Sequence, residues 1–219
     1  MKYDNVYIPT YVINLPERTD RRKSIEAEFK DKDEFELHIV EATKHPIGAV
    51  GLWKSITSII RAVVQKNEDD VIIICEDDHV FTENYQRDKF LDQVMKGALL
   101  GTQILFGGIG GFGKAVPIDS GLFWIDWNWC TQFMVIYQSA FDKILNARFT
   151  KNDVADEFLG KIIPNKVVIH PFISKQKEFG YSDVTKGNEK KGQMSKYFDE
   201  ADLKLKTYER IVKKYELIL

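Results

Sequence analysis

Two hydrophobic periods take turns along this chain. Residues 6–15 are mostly apolar and read as a first strand, stopping at the polar turn Pro16-Glu17-Arg18-Thr19-Asp20. A charged helix is expected over residues 21–29 and a second strand over 35–40. Leu52, Trp53, Ile56, Ile59, Ile60, Val63 and Val64 repeat at helical spacing and form one apolar face, ending at the solvated turn Asn67-Glu68-Asp69-Asp70. Val71-Ile72-Ile73-Ile74-Cys75 is unbroken and mostly β-branched, the pattern of a strand covered on both faces. Helices are expected over residues 84–96, 139–147 and 154–161, and strands over 103–106, 131–137 and 166–170. This alternation specifies an α/β domain.

The tail differs. Residues 187–196 are polar and basic and read as a linker or loop. Beyond them Leu205, Tyr208, Val212, Tyr215 and Leu219 line one side of an amphipathic helix, with Lys204, Lys206, Arg210, Lys213 and Lys214 around it. Such a helix docks on the main domain or, in a sharper reading, meets a membrane surface or a partner chain. The expected division is a main domain over residues 1–186 and a linker with helix over 187–219.

With 219 residues the chain can bury one sizeable core. A formal net charge of −2 lacks the basic excess of a nucleic-acid binder, so no nucleic-acid partner is expected. Two cysteines cannot form a disulfide framework, and Cys75 and Cys130 read as reduced, buried residues. Charges and a proline interrupt residues 1–15 where a signal peptide would be apolar, and no segment approaches the roughly 20 apolar residues of a membrane span. A cytoplasmic address is expected.

The chemistry centres on Glu76-Asp77-Asp78, directly after the apolar run. In open α/β sheets ligands bind beyond the carboxyl ends of the strands. Adjacent carboxylates raise one another's pKa, a repulsion that a cation relieves. Oxygen donors of this kind suit Mg²⁺ or Mn²⁺, which bridge to substrate phosphates. A bare acidic triplet can also be a solvated turn before a helix; its position after a buried strand favours the metal.

Val12-Ile13-Asn14-Leu15 followed by Arg18, Asp20, Arg21 and Arg22 resembles the opening signature of glycosyltransferase family 25, which includes lipopolysaccharide-type bacterial transferases and collagen galactosyltransferases. Ile74-Cys75-Glu76-Asp77-Asp78 is similar to its acidic strand end, Val154-Ala155-Asp156-Glu157-Phe158-Leu159 to its later Asp-before-apolar segment, and Gln176 with Gly180-Tyr181-Ser182-Asp183-Val184 to its closing region. The resemblance implies a GT-A fold, a Rossmann-type three-layer α/β sandwich on a mostly parallel sheet. It further implies a nucleotide-sugar donor, first of all a UDP-sugar, a divalent ion at the acidic motif, and inversion at the anomeric centre. Carried over by position, Asp78 is the metal ligand, Glu76 or Asp77 assists the ion or the donor's ribose, and Asp156 sits near the acceptor hydroxyl. The chain departs from the family where a Ser-His pair precedes a helix; here it has Ser55-Ile56.

Other residues carry two readings each. Arg18, Arg21 and Arg22 could bind a diphosphate or simply charge a helix start; Asn14 is a candidate nucleotide contact. Residues 108–113 spell GxGxxG, but Lys114-Ala115-Val116-Pro117 cannot open the helix that a dinucleotide site needs, so a flexible loop beside a sugar pocket is expected. Trp124, Asp126, Trp127 and Trp129 suit sugar recognition, indole faces stacking on sugar rings while a carboxylate binds hydroxyls, and equally suit core packing. His170, at a strand end, is a candidate third metal ligand or a structural histidine, and His79 a neighbour of the ion. Gln176, Ser182 and Asp183 are candidate substrate contacts.

The resulting expectation is direct displacement: Asp156, with Glu157 and Asp153 in reserve, removes the acceptor's proton, and the acceptor is a glycan, a lipopolysaccharide or another lipid-linked saccharide. Peripheral contact with the inner membrane face through the C-terminal helix belongs to the same expectation. A phosphoacceptor receiver domain would carry its acidic pair after the first strand, so that rival is set aside. A non-catalytic sugar-binding module on the same fold is the alternative that Ser55-Ile56 keeps open.

Overall fold

The computed structural model describes residues 3–180 and 192–215. Its centre is an eight-stranded sheet in the order β2-β1-β3-β8-β5-β9-β7-β6, formed by β1 (Ile8–Asn14), β2 (Phe35–Glu41), β3 (Val71–Glu76), β5 (Ile104–Phe106), β6 (Ala115–Asp119), β7 (Leu122–Ile125), β8 (Phe133–Tyr137) and β9 (Lys166–Ile169). β2, β1 and β3 pair in parallel, as do β5 and β9; β8 and β7 alone run against the rest. A separate antiparallel ribbon joins β4 (His79–Phe81) to β10 (Ser174–Gln176).

The run Val71–Cys75 shows why the sheet is covered twice. Ile72 and Ile74 belong to one apolar cluster and Ile73 and Cys75 to another, because successive strand side chains point to opposite faces. The first cluster is roofed by α2 (Gly48–Lys66), α4 (Gln138–Leu145), α5 (Ala155–Ile162) and α6 (Gln193–Tyr215), through Trp53, Ile60, Phe141, Phe158 and Phe198. The second is closed by α1 (Thr19–Phe29) and α3 (Arg87–Leu99), through Ile25, Phe29, Phe90 and Val94. The three-layer α/β sandwich on a mostly one-way sheet, closed by a C-terminal helix, is as expected.

The elements follow local chemistry. Helix α2 stops where Asn67 turns left-handed and its N–H bonds Val63 O, a cap that a short polar side chain tolerates. Helix α6 docks by one face, burying Met194, Phe198, Ala201 and Leu205, while Ile211 and Tyr215 stay exposed. It starts at Gln193, so the end of the expected linker is helical; residues 187–191 lie outside the described part. No helix among the described residues is long and apolar enough to cross a membrane.

Two strands stand where no element was expected, and one expectation is corrected. Strands β6 and β7 occupy a stretch without clear periodicity, where Pro117 sits on the edge strand, the position that tolerates a missing N–H. The glycine-rich segment is not a loose loop. Gly107 to Gly110 are buried, and a Cβ on Gly108 would come within 2.0 Å of Ser174 O. Those glycines allow backbone to pack against backbone, and β6 rather than a helix follows them.

Candidate functional site

Beyond the carboxyl end of β3 the structure opens a cleft of about 590 Å³. Glu76, Asp77, Asp78, Arg18, Arg21, Asp156 and Gln176 all line it, joined by Cys130 and Thr131 and by a wall running from Ala42 to Leu52. Side chains from the loop after β1, the end of β3, the start of α5 and the end of β10 thus converge on one cavity.

Each acid has its own surroundings. Asp77 is committed to the protein: Asn14 Nδ2 donates to its Oδ2 at 2.9 Å, Arg21 Nη1 to its Oδ1 at 3.0 Å, and Arg18 stands 3.9 Å away. Asp78 Oδ2 accepts from Gln176 Nε2 at 2.8 Å and Arg21 Nη1 at 3.2 Å, but its Oδ1 is buried and accepts no hydrogen bond. Burial, partly opposed by Arg21, pushes the Asp78 carboxyl up to about 6. Glu76 accepts from Thr131 Oγ1 at 2.7 Å; burial and then the Asp78 charge push it up to about 8. Asp156 sits in the first turn of α5, its Oδ2 accepting from Cys130 N at 3.0 Å and its Oδ1 from Glu157 N at 2.8 Å, and burial raises its pKa.

The orphaned Asp78 Oδ1 and the raised carboxyls beside it fit a cation. Among the described residues, however, no group of three or more His, Cys, Asp or Glu side chains is arranged to hold one. An ion there would share its coordination with water and ligand oxygens, as Mg²⁺ does when it is bound through one or two carboxylates and a phosphate.

The remaining candidates lie elsewhere. His170 is buried at the end of β9, its Nε2 3.3 Å from Asp202 and its Nδ1 3.3 Å from Glu209, both on α6, and it does not line the cleft. His79 is buried among Phe29, Phe81 and Phe133 and its Nδ1 faces Ser174 Oγ at 2.8 Å; burial, then Lys32, lowers it to about 3. Trp124 donates to Pro164 O at 2.9 Å and lines a separate apolar hollow on the β6 side of the sheet. Asp126 accepts from the N–H groups of Gly113, Lys114 and Trp127, so it organises a loop. Trp127 packs on Trp129, which leans on Tyr197 of α6. Asp153 closes a turn with Thr150, Glu157 is exposed, and Arg22 pairs with Glu26 on the surface. Ser182 and Asp183 lie outside the described residues.

Sequence reasoning missed the wall from Ala42 to Leu52 and the Thr131 contact. The wall is a non-periodic connection, and its one signal is a cluster of Thr43, Lys44 and His45 before a helix.

No protein-family model matches the chain, and no curated protein matches it in sequence. Among solved structures its fold is similar to that of A197 from STIV, with a TM-score of 0.55 and 12% identity over 79% of this chain and 86% of that one. Fainter likenesses extend to an apo UDP-glucose pyrophosphorylase (TM-score 0.47, 9% identity, 88% and 82% covered). They also include a glycosyltransferase involved in the glycosylation of the major capsid of PBCV-1 (0.46, 12%, 75% and 82%). At these identities the likeness concerns fold alone.

Proposed function

We propose that this chain is an inverting glycosyltransferase, moving a sugar from a nucleotide-sugar donor, a UDP-sugar first among them, to a glycan or lipopolysaccharide-type acceptor. One observation carries the reading: Glu76-Asp77-Asp78 and Asp156, some eighty positions apart, meet in one cleft with Arg18 and Arg21. These are the segments on which the resemblance to glycosyltransferase family 25 rests.

The residues divide the work. Asp156 is the base: it lines the cleft, and its burial-raised pKa makes its carboxylate the better proton acceptor. The acceptor oxygen, relieved of its proton, attacks the anomeric carbon on the side opposite the departing diphosphate, which inverts that centre. Asp77 holds Asn14 and Arg21 in register and so shapes the donor side. Asp78 and Glu76 would hold Mn²⁺ or Mg²⁺, an ion that would offset negative charge on the leaving group. Enclosure in the cleft supplies orientation.

The test is release of nucleoside diphosphate from UDP-sugars with a saccharide acceptor, alongside thermal shift with nucleotide sugars, with and without Mn²⁺. Acceptor-dependent release supports transfer. Stabilisation by a donor without release would instead favour a non-catalytic sugar-binding module, and neither response in any donor would reject the reading.

A further inference from the structure

A diphosphate lying over an acidic floor needs hydrogen-bond donors, and most donors around this cleft are already spent. Arg21 is bound to Asp77 and Asp78, Gln176 to Asp78, and Thr131 to Glu76. Across the cavity, the wall that leads into α2 is built differently. Thr43 N donates to Ser55 Oγ at 2.8 Å, and Ser55 Oγ donates back to Gly51 O at 3.0 Å. A Cβ on Gly51 would lie 2.5 Å from Thr43 O, so this wall is clamped directly on the helix.

His45 sits in the middle of it. Its Nδ1 lies 3.0 Å from Ile47 N and 3.1 Å from Ile47 O, two contacts that demand opposite roles of one nitrogen. Ile47 O already accepts from Val50 N and Gly51 N, whereas Ile47 N has no other acceptor among the described residues. Nδ1 therefore accepts from Ile47 N, and in the neutral ring the proton resides on Nε2. Nε2 has no partner among the described residues, and His45 lines the cleft. Lys44, beside it and ion-paired to Glu17 at 3.0 Å, adds positive charge at the same rim.

The geometry points to His45 as a ligand-contacting residue whose Nε2–H grips the diphosphate of the donor from the wall facing the carboxylates. The inference rests on the cleft being a nucleotide-sugar site. The ring is held by its own backbone, so the donor is aimed before any ligand arrives, and little ordering entropy is lost on binding. No bond is made or broken by His45 in this role. It positions charge.

Ligand-observed NMR titrations with UDP and GDP, and with uridine and guanosine as phosphate-free controls, separate the outcomes. His45→Asn keeps an acceptor near the Nδ1 position and removes the outer donor; His45→Gln reaches to about the Nε2 position. The expected result is a roughly tenfold loss of diphosphate affinity in His45→Asn, the size of one hydrogen bond to a charged group. His45→Gln retains most of the affinity, nucleoside binding does not change, and the ligand-free thermal midpoint of both variants matches wild type. Wild-type affinity in His45→Asn, or an equal loss for nucleoside and diphosphate, would overturn the assignment while leaving the donor site intact. A wild-type chain that binds neither diphosphate would overturn both.

Discussion

Strands β3 and β9 run in the same direction, so the acidic triplet and His170 both lie beyond the same end of the sheet. What completes each set differs. His170 is walled in by the protein: Asp202 and Glu209 of α6 stand 3.3 Å from its two nitrogens, neither of which makes a hydrogen bond, Phe123 and Phe172 cover its ring, and it lines no part of the cleft. The triplet is completed only in part, with Asp77 satisfied and one oxygen of Asp78 left buried and bare beside a cavity. A strand end is a common address for ligands, but the address alone makes no site. Unmet electrostatic demand facing open space is the sharper sign, because a buried polar atom without a partner is costly and persists where something else supplies the partner.

Substitutions can break that contrast. Asp156→Asn removes the proposed base and is expected to slow transfer by about 10²–10⁴-fold while leaving donor affinity in place, read as nucleoside diphosphate release against donor titration. Asp78→Ala should cost roughly 10²–10³-fold in the same assay through lost charge stabilisation; unchanged turnover would remove the triplet from the chemistry. At the closed set the effect moves from rate to stability. Phe198→Ala, at a fully buried position on α6, should destabilise the fold by about 3–5 kcal/mol in denaturant unfolding, whereas a normal midpoint would mean that α6 contributes little.

The smallest effect is one of pH. Burial lowers the His170 pKa, although Asp202 and Glu209 oppose it. A histidine with a depressed folded pKa binds fewer protons folded than unfolded, so its contribution is complete above about pH 6.5 and is lost as pH falls towards the folded value. Thermal midpoints between pH 7 and 5 should therefore fall less steeply in His170→Gln than in wild type. Equal slopes would show that His170 does not titrate in that window.

Much of this was legible beforehand. The strand at Val71–Glu76 and the face of α2 were plain because apolar runs and helical spacing report burial directly. The carboxylates could be placed at a strand end for the same reason. What stayed hidden was pairing. Nothing local in the sequence brings Gln176 to Asp78, Thr131 to Glu76, or α6 to His170, since each contact spans dozens of residues. The tryptophans were ambiguous for a related cause: an indole that stacks on a sugar and one that packs on Gly111 have the same local pattern. Trp124 donates to Pro164 O away from the cleft, and Trp127 packs on Trp129 and against Gly111 and Gly113.

One strand set against its neighbours has a last consequence. Because β8 runs opposite to β3, it begins where β3 finishes, so the segment entering β8 arrives at the same rim and delivers Cys130 and Thr131 there. In an all-parallel arrangement incoming connections gather at the far end, and only outgoing ones can furnish a binding rim. Here the reversal of β8 lets arriving and departing backbone share the work, enlarging the set of loops from which specificity can be varied without disturbing the sheet.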